Sequence, residues 1–77
     1  MKTSDISDKA VCEAVAQYQA SRKPAPFPYE TLAKQFNCPE KVAYRALERA
    51  ERHGLIEYGV SLRTGWLTEK GEALLSS

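Results

Sequence analysis

Lys41, Arg45, Arg49 and Arg52 recur at intervals of four, four and three residues. On a helix turning about 100° per residue, such intervals set the side chains along one edge. A row of fixed positive charge has an evident chemistry, the electrostatic binding of a polyanion. The stretch that carries it divides by side: Val42, Ala43, Ala46, Leu47 and Ala50 gather on one face, and Lys41, Tyr44, Arg45, Glu48, Arg49 and Arg52 on the other. The first face is predicted to be core and the second to face outward. Glu40 and Glu51 lie toward the opposite edge of the outward face. A merely solvated surface helix carries charges in the same way, so the pattern alone admits both readings.

Other chemistry finds little support. The chain has no glycine-rich phosphate loop and no Ser-His-Asp set with plausible placement. His53, the sole histidine, falls at a helix end on the inner flank, where a structural role is expected. Glu69 and Glu72 are three apart, a commonplace spacing of acids on a helix surface. Cys12 and Cys38 form no Cys-x-x-Cys pair and sit in or beside apolar helical patterns, which suits reduced thiols packed as small hydrophobes. A four-ligand zinc site would need carboxylates at spacings that are not present. The expectation is no enzyme, no metal and no cofactor.

Length and composition set the frame. A chain of 77 residues with 43% hydrophobic and 27% charged content suits one small globular domain over 1–77, with a polar, flexible stretch at 1–6. No apolar run approaches the roughly 20 residues a bilayer requires, and the start lacks a signal-peptide core. A cytoplasmic location and no membrane partner are expected. The formal net charge is only +1, so any basic character is regional: Lys41, Arg45, Arg49, Arg52 and Arg63 outnumber the acids of residues 41–63.

The elements that must position the cationic row follow in order. Ser7 is a predicted N-cap, with Asp8 in the first turn and Ile6 and Val11 placed as a hydrophobic staple. Val11, Ala14, Val15 and Tyr18 then mark a first helix ending near Ser21. Three prolines between Pro24 and Pro28 forbid helix and make a stiff connector, with Phe27 as its anchor to the core. Pro28 opens a second helix of about two turns, Tyr29 to Phe36, on an inner face of Leu32, Ala33 and Phe36. Asn37 suits a left-handed exit, Pro39 the first turn of the third helix, and Gly54 its end. Helices joined through so tight a turn cross steeply, as in a helix-turn-helix. From Leu55 to Val60 the period becomes two, a strand in which Ile56, Tyr58 and Val60 alternate against Leu55, Glu57 and Gly59. Ser61 to Gly65 makes a loop, Trp66-Leu67 a return strand, and Thr68 caps a last helix from Glu69 to Leu75, with Leu74 and Leu75 closing onto the core. Fold class is therefore mainly α with a small β-hairpin (α+β), in the order α-α-α-β-β-α.

Two stretches carry a family resemblance. YETLAKQFNCPEKVAYRALERAERHGLIE, from Tyr29 to Glu57, is similar to bacterial regulators of the GntR and MarR types in placing Leu-Ala in one helix and Gly-Leu-Ile after the next. WLTEKGEALL, from Trp66 to Leu75, resembles the wing exit and closing helix of MarR-like and PadR-like regulators. The resemblance implies a winged helix-turn-helix domain, bacterial or phage-like, that binds double-stranded DNA and regulates transcription. By position, it implies that the helix from Pro39 to His53 enters the major groove and that the wing from Ser61 to Gly65 touches backbone or minor groove. Glu40, Lys41, Tyr44 and Arg45 would then face bases or nearby phosphates, with Glu48, Arg49 and Arg52 completing the helix surface and Arg63 as the wing contact. The chain departs from the family pattern at Pro39-Glu40-Lys41, where many relatives have Ser, Thr or Arg. Glu40 there can accept from cytosine N4 but repels phosphate.

Winged helices also serve as protein-docking modules. In that alternative Tyr44, Tyr58 and Trp66 are aromatic anchors around Arg45. Core or wing packing is the preferred assignment for Tyr58 and Trp66, whereas Tyr44 is read as projecting outward without a packing role. Few cations on one copy imply a weak homodimer or DNA-assisted pairing, with the first helix, at Ala10, Ala14 and Ala16, and the turn around Leu74 and Leu75 as candidate surfaces.

Overall fold

Ile6 and Val11 are both fully buried, and between them Ser7 Oγ accepts the Ala10 N–H at 3.1 Å. Staple and cap together start α1 (Asp8–Ala20) at a fixed point against the core. The computed structural model describes residues 5–21, 27–57 and 66–76. The proline-rich stretch at 22–26 and residues 58–65, on which the expectations for Tyr58, Arg63 and the wing from Ser61 to Gly65 fall, lie outside the described residues.

Pro28 occupies the first position of α2 (Pro28–Phe36), where a missing N–H is harmless. Leu32 and Ala33 are its buried residues besides Pro28. Asn37 ends it in the left-handed region (φ 51°), and the Cys38 N–H returns to the Ala33 carbonyl at 2.9 Å. Pro39 lies just outside α3 (Glu40–Arg52) as its N-cap, one residue earlier in role than the sequence suggests. Ala43, Ala46, Leu47 and Ala50 are its buried face. The far end repeats the device used by α2, with Gly54 left-handed (φ 76°) and the Leu55 N–H on the Ala50 carbonyl at 3.0 Å.

β1 (Ile56–Glu57) pairs antiparallel with β2 (Trp66–Leu67), Ile56 opposite Leu67 and Glu57 opposite Trp66. The described residues are thus mainly helical with one small antiparallel sheet, in the order α-α-α-β-β-α. In α4 (Glu69–Ser76) the cap is Thr68, whose Oγ1 accepts the Gly71 N–H at 3.2 Å. Leu74 and Leu75 are half-buried against a core built from Ile6 and from α1, α2, α3, Leu55 and Ile56. Among the described residues no helix is long and apolar enough to cross a membrane.

Sequence expectations for Leu55, Ala14 and Trp66 need correction. Leu55 and Ile56 are both buried (6% and 1% exposed), because Leu55 still belongs to the turn that closes α3 and strand alternation begins only at Ile56. Ala14 lies within the core at 4% exposure, so the small-residue face of α1 is spent inside the domain at that position and offers no second copy a surface there. Trp66 is 41% exposed: opposite Glu57 it takes the outer side of the sheet, leaving Leu67 to pack inward. Phe27 is half-buried, with ring centroids 5.9 Å from Tyr18 and 6.1 Å from Tyr29, and Tyr29 itself packs against the core.

Gly71 has a packing role that its place in a helix does not announce. A Cβ there would meet the Leu55 carbonyl oxygen at 2.2 Å, and a backbone atom held by the closing turn of α3 cannot yield. Gly71→Ala should therefore lower the melting temperature although alanine is favoured by about 1 kcal/mol within helices; a rise in melting temperature would refute the close approach. Leu47→Ala should cost about 2–5 kcal/mol by opening a core cavity. Arg45→Ala, on the exposed side, should stay within about 0.5 kcal/mol of the parent in a denaturant titration.

Candidate nucleic-acid interface

With its core side fixed by Ala43, Ala46, Leu47 and Ala50, α3 has a defined outer side. At about 100° per residue, Lys41, Arg45, Glu48 and Arg52 lie diametrically across the helix from that core face. All four are exposed, as is Glu40 at the helix start. Three cations and one carboxylate therefore line the crest of the helix. Tyr44 falls about 60° to one side of Lys41, and Arg49 about 80° to the other. These flanking positions decide both residues' environments.

Tyr44 does not project freely. It is half-buried against the core, and its ring meets that of Tyr29 edge to face with centroids 5.8 Å apart. Such a contact contributes about 0.5–1.5 kcal/mol beyond area burial. Packing within the domain thus uses this ring, contrary to the sequence reading. The flank of α3 that faces α2 is closed by it.

Arg49 is likewise drawn away from the crest. Its Nε donates to Asp8 Oδ1 at 2.9 Å, and its Nη2 donates to the Ile6 carbonyl. The Arg49 side chain is 22% exposed and that of Asp8 28%. Asp8 Oδ2 in turn faces His53 Nδ1 at 2.9 Å. Opposite an ionised carboxylate Nδ1 carries the proton and donates. His53, the residue after α3, keeps its side chain 52% accessible while holding Asp8, which is its structural role. The cationic row read from sequence is in this way divided, with Lys41, Arg45 and Arg52 on the crest and Arg49 in a salt bridge to α1.

The Asp8 carboxyl feels opposing influences. Burial raises its pKa, but the hydrogen bonds from His53 and Arg49 and their charges outweigh it, leaving the group below the ordinary carboxylate value. One turn on, burial and the Asp8 charge push the Cys12 thiol up to about 11, so this buried cysteine stays protonated and unreactive. Cys38 is half-buried, and both thiols are free. Arg63, the proposed wing contact, lies outside the described residues.

Sequence reasoning did not find Asp8 as a partner of this face. Its position in the first turn of α1 accounts for a negative charge there by the helix dipole alone, and no local signal joins it to residues 41 and 45 positions later. No family model, curated protein or solved structure matches the chain.

Asp8 gives the domain a defined pH dependence. A carboxyl with a depressed folded-state pKa contributes stability that is fully present above its unfolded value, about 3.9 for aspartate, and is lost as pH falls through the folded value. Asp8→Asn should lower stability near neutrality by on the order of 1 kcal/mol, given that both partners are partly solvated. Its melting temperature should converge with that of the parent as pH drops through the carboxylate range. A gap between the two proteins that stays constant down to that range would contradict the role given to Asp8.

Proposed function

We propose that the chain is a small DNA-binding transcription regulator of the winged helix-turn-helix type. In this reading α2 and α3 form the helix-turn-helix, α3 lies in the major groove and the hairpin is the wing. The observation that carries it is the exposure of Lys41, Arg45 and Arg52 along the crest of α3, directly across the helix from its buried face. The element order and the left-handed turn at Asn37 support the same reading. Lys41 and Arg45, in the first half of the helix, are assigned to base edges or the nearest phosphates, and Arg52 to the backbone. Glu40 is assigned to a cytosine N4 donor, and Arg63 to phosphate or minor groove through the wing.

A protein-docking role around Tyr44 and Arg45 is the competing reading. The engagement of Tyr44 with Tyr29 takes the one aromatic ring of α3 out of such a surface, while the crest cations remain exposed. DNA is accordingly the preferred partner. With Lys41, Arg45 and Arg52 each neutralising one phosphate and Arg63 as a fourth contact from the wing, the slope of log affinity against log salt is about −3 to −4 at roughly −0.9 per contact. So shallow a slope is too little for tight specific binding by one copy, and two copies on half-sites about one helical turn apart would double it.

Titration of duplex DNA at several salt concentrations tests this directly. Lys41→Ala and Arg45→Ala should each weaken binding and flatten the slope by about 1, with melting temperatures near the parent. A duplex with two half-sites should bind cooperatively, and one with a single half-site weakly. Absence of salt-dependent binding to any duplex in the parent protein would sink the proposal.

A further inference from the structure

Arg49 lies four residues after Arg45 and three before Arg52, so its Cα borders the crest. Its guanidinium nevertheless points to α1, to Asp8 Oδ1 at 2.9 Å and to the Ile6 carbonyl. Asp8 is itself kept in place from α3, because His53 Nδ1 holds the second carboxylate oxygen at 2.9 Å. Arg49 of α3 and His53, the cap residue that follows it, are four apart and grip Asp8 from one flank of the helix end. The segment that closes the arrangement is short: Asp5, Ser7 and Lys9 are exposed, and Ile6 is the buried residue before α1. Lys70, whose Nζ donates to the His53 carbonyl at 3.0 Å, adds a cation beside the same helix end.

We propose that Asp8 is an electrostatic latch that withholds Arg49 from the DNA-facing surface, so that α3 carries one cation in reserve. This inference rests on the DNA-binding reading. While the Asp8–Arg49 pair is closed it is formally neutral, and a phosphate approaching this flank must compete with a carboxylate already in contact. Loss of the Asp8 charge removes the stronger of the two holds on Arg49, and when the bond to the Ile6 carbonyl opens as well Arg49 swings toward the neighbouring crest, where Arg45 and Arg52 stand. The number of phosphates α3 neutralises is then set by the first turn of α1, and not by α3 alone.

Four proteins separate this latch from a general effect of charge: the parent, Asp8→Asn, Arg49→Gln and the double variant, each shown folded by its melting curve at the assay temperature. Duplex affinity is measured against salt for all four. Asp8→Asn should bind about 3- to 10-fold tighter at low salt and steepen the slope by about 0.9, the equivalent of one more phosphate. In the Arg49→Gln background the same Asp8→Asn change should bring little gain. Equal gains in both backgrounds would mean that Asp8 acts only through its long-range field, and would overturn the latch while leaving DNA binding intact. Absence of duplex binding by all four proteins would remove the DNA reading and the latch together. Should Asp8→Asn fold poorly, Asp8→Ser removes the charge with a residue suited to a helix start, and the same comparison applies.

Discussion

The end of α3 is where the fold is tied together. A helix leaves its last carbonyls without intrahelical donors, and here residues next to or within α4 supply donors just beyond that end. The His53 carbonyl accepts from Lys70 Nζ at 3.0 Å, the Gly54 carbonyl from Thr68 Oγ1 at 2.6 Å, and the Leu55 carbonyl from the Thr68 N–H at 3.1 Å. Gly71 then lies directly against the Leu55 oxygen. Thr68 does two jobs with one hydroxyl, donating to Gly54 and accepting the Gly71 N–H. The base of the hairpin and the start of α4 are thereby fixed to the end of α3, and every side chain on that helix inherits its direction from the junction.

Asp8 ties the same end of α3 to the start of α1. Through Arg49 and His53 it reaches the last turn of α3 and its cap, while the Ser7 cap and the buried Ile6 fix its own backbone. Between the junction and this node, rotation of α3 about its axis is blocked, and the alanine-rich inner face with Leu47 can seat against α1 and α2 in one way. The small side chains of Ala43, Ala46 and Ala50 permit close approach, and Leu47 fills the space between. Fixing this rotation is what makes the crest of α3 a definite surface, with flanks already occupied by Tyr29 on one side and Asp8 on the other.

How much of this the sequence reveals depends on how far each signal reaches along the chain. The caps and stops are local, so Ser7, Pro28, Asn37 and Gly54 mark helix ends that match the structure to within a residue or so. The inner faces of α2 and α3 follow from periodicity, and so does the core they form. Contacts between distant segments leave no such trace. Arg49 and Asp8 are 41 positions apart, and nothing in the spacing of Lys41, Arg45, Arg49 and Arg52 tells which of the four has a carboxylate waiting. Tyr44 and Tyr29 meet only because α2 and α3 are neighbours. Gly71 reads as a weak helical residue until the Leu55 carbonyl is seen beneath it. The burial of both Leu55 and Ile56 was hidden for a different reason: a helix-closing turn and a strand share that point, and the two-residue period applies to only one of them.

A net charge of +1 is a poor guide to what such a surface presents. Helix periodicity sorts the ionisable groups of α3 into a crest, where solvation makes charge inexpensive, and flanks, where a neighbouring element is within reach. On the crest, Lys41, Arg45 and Arg52 keep their charge exposed and Glu48 offsets one of them. On the flank, partial burial of Arg49 is tolerable because Asp8 and the Ile6 carbonyl replace lost water. The cation that contributes most to holding α1 on α3 is therefore the one whose charge is least available to a partner. Moving the cation from position 49 to position 48, about 100° round the axis, would carry it from the flank to the crest, whereas position 50 lies in the core; it is this angular position, more than residue type or total charge, that divides paired from exposed cations on α3.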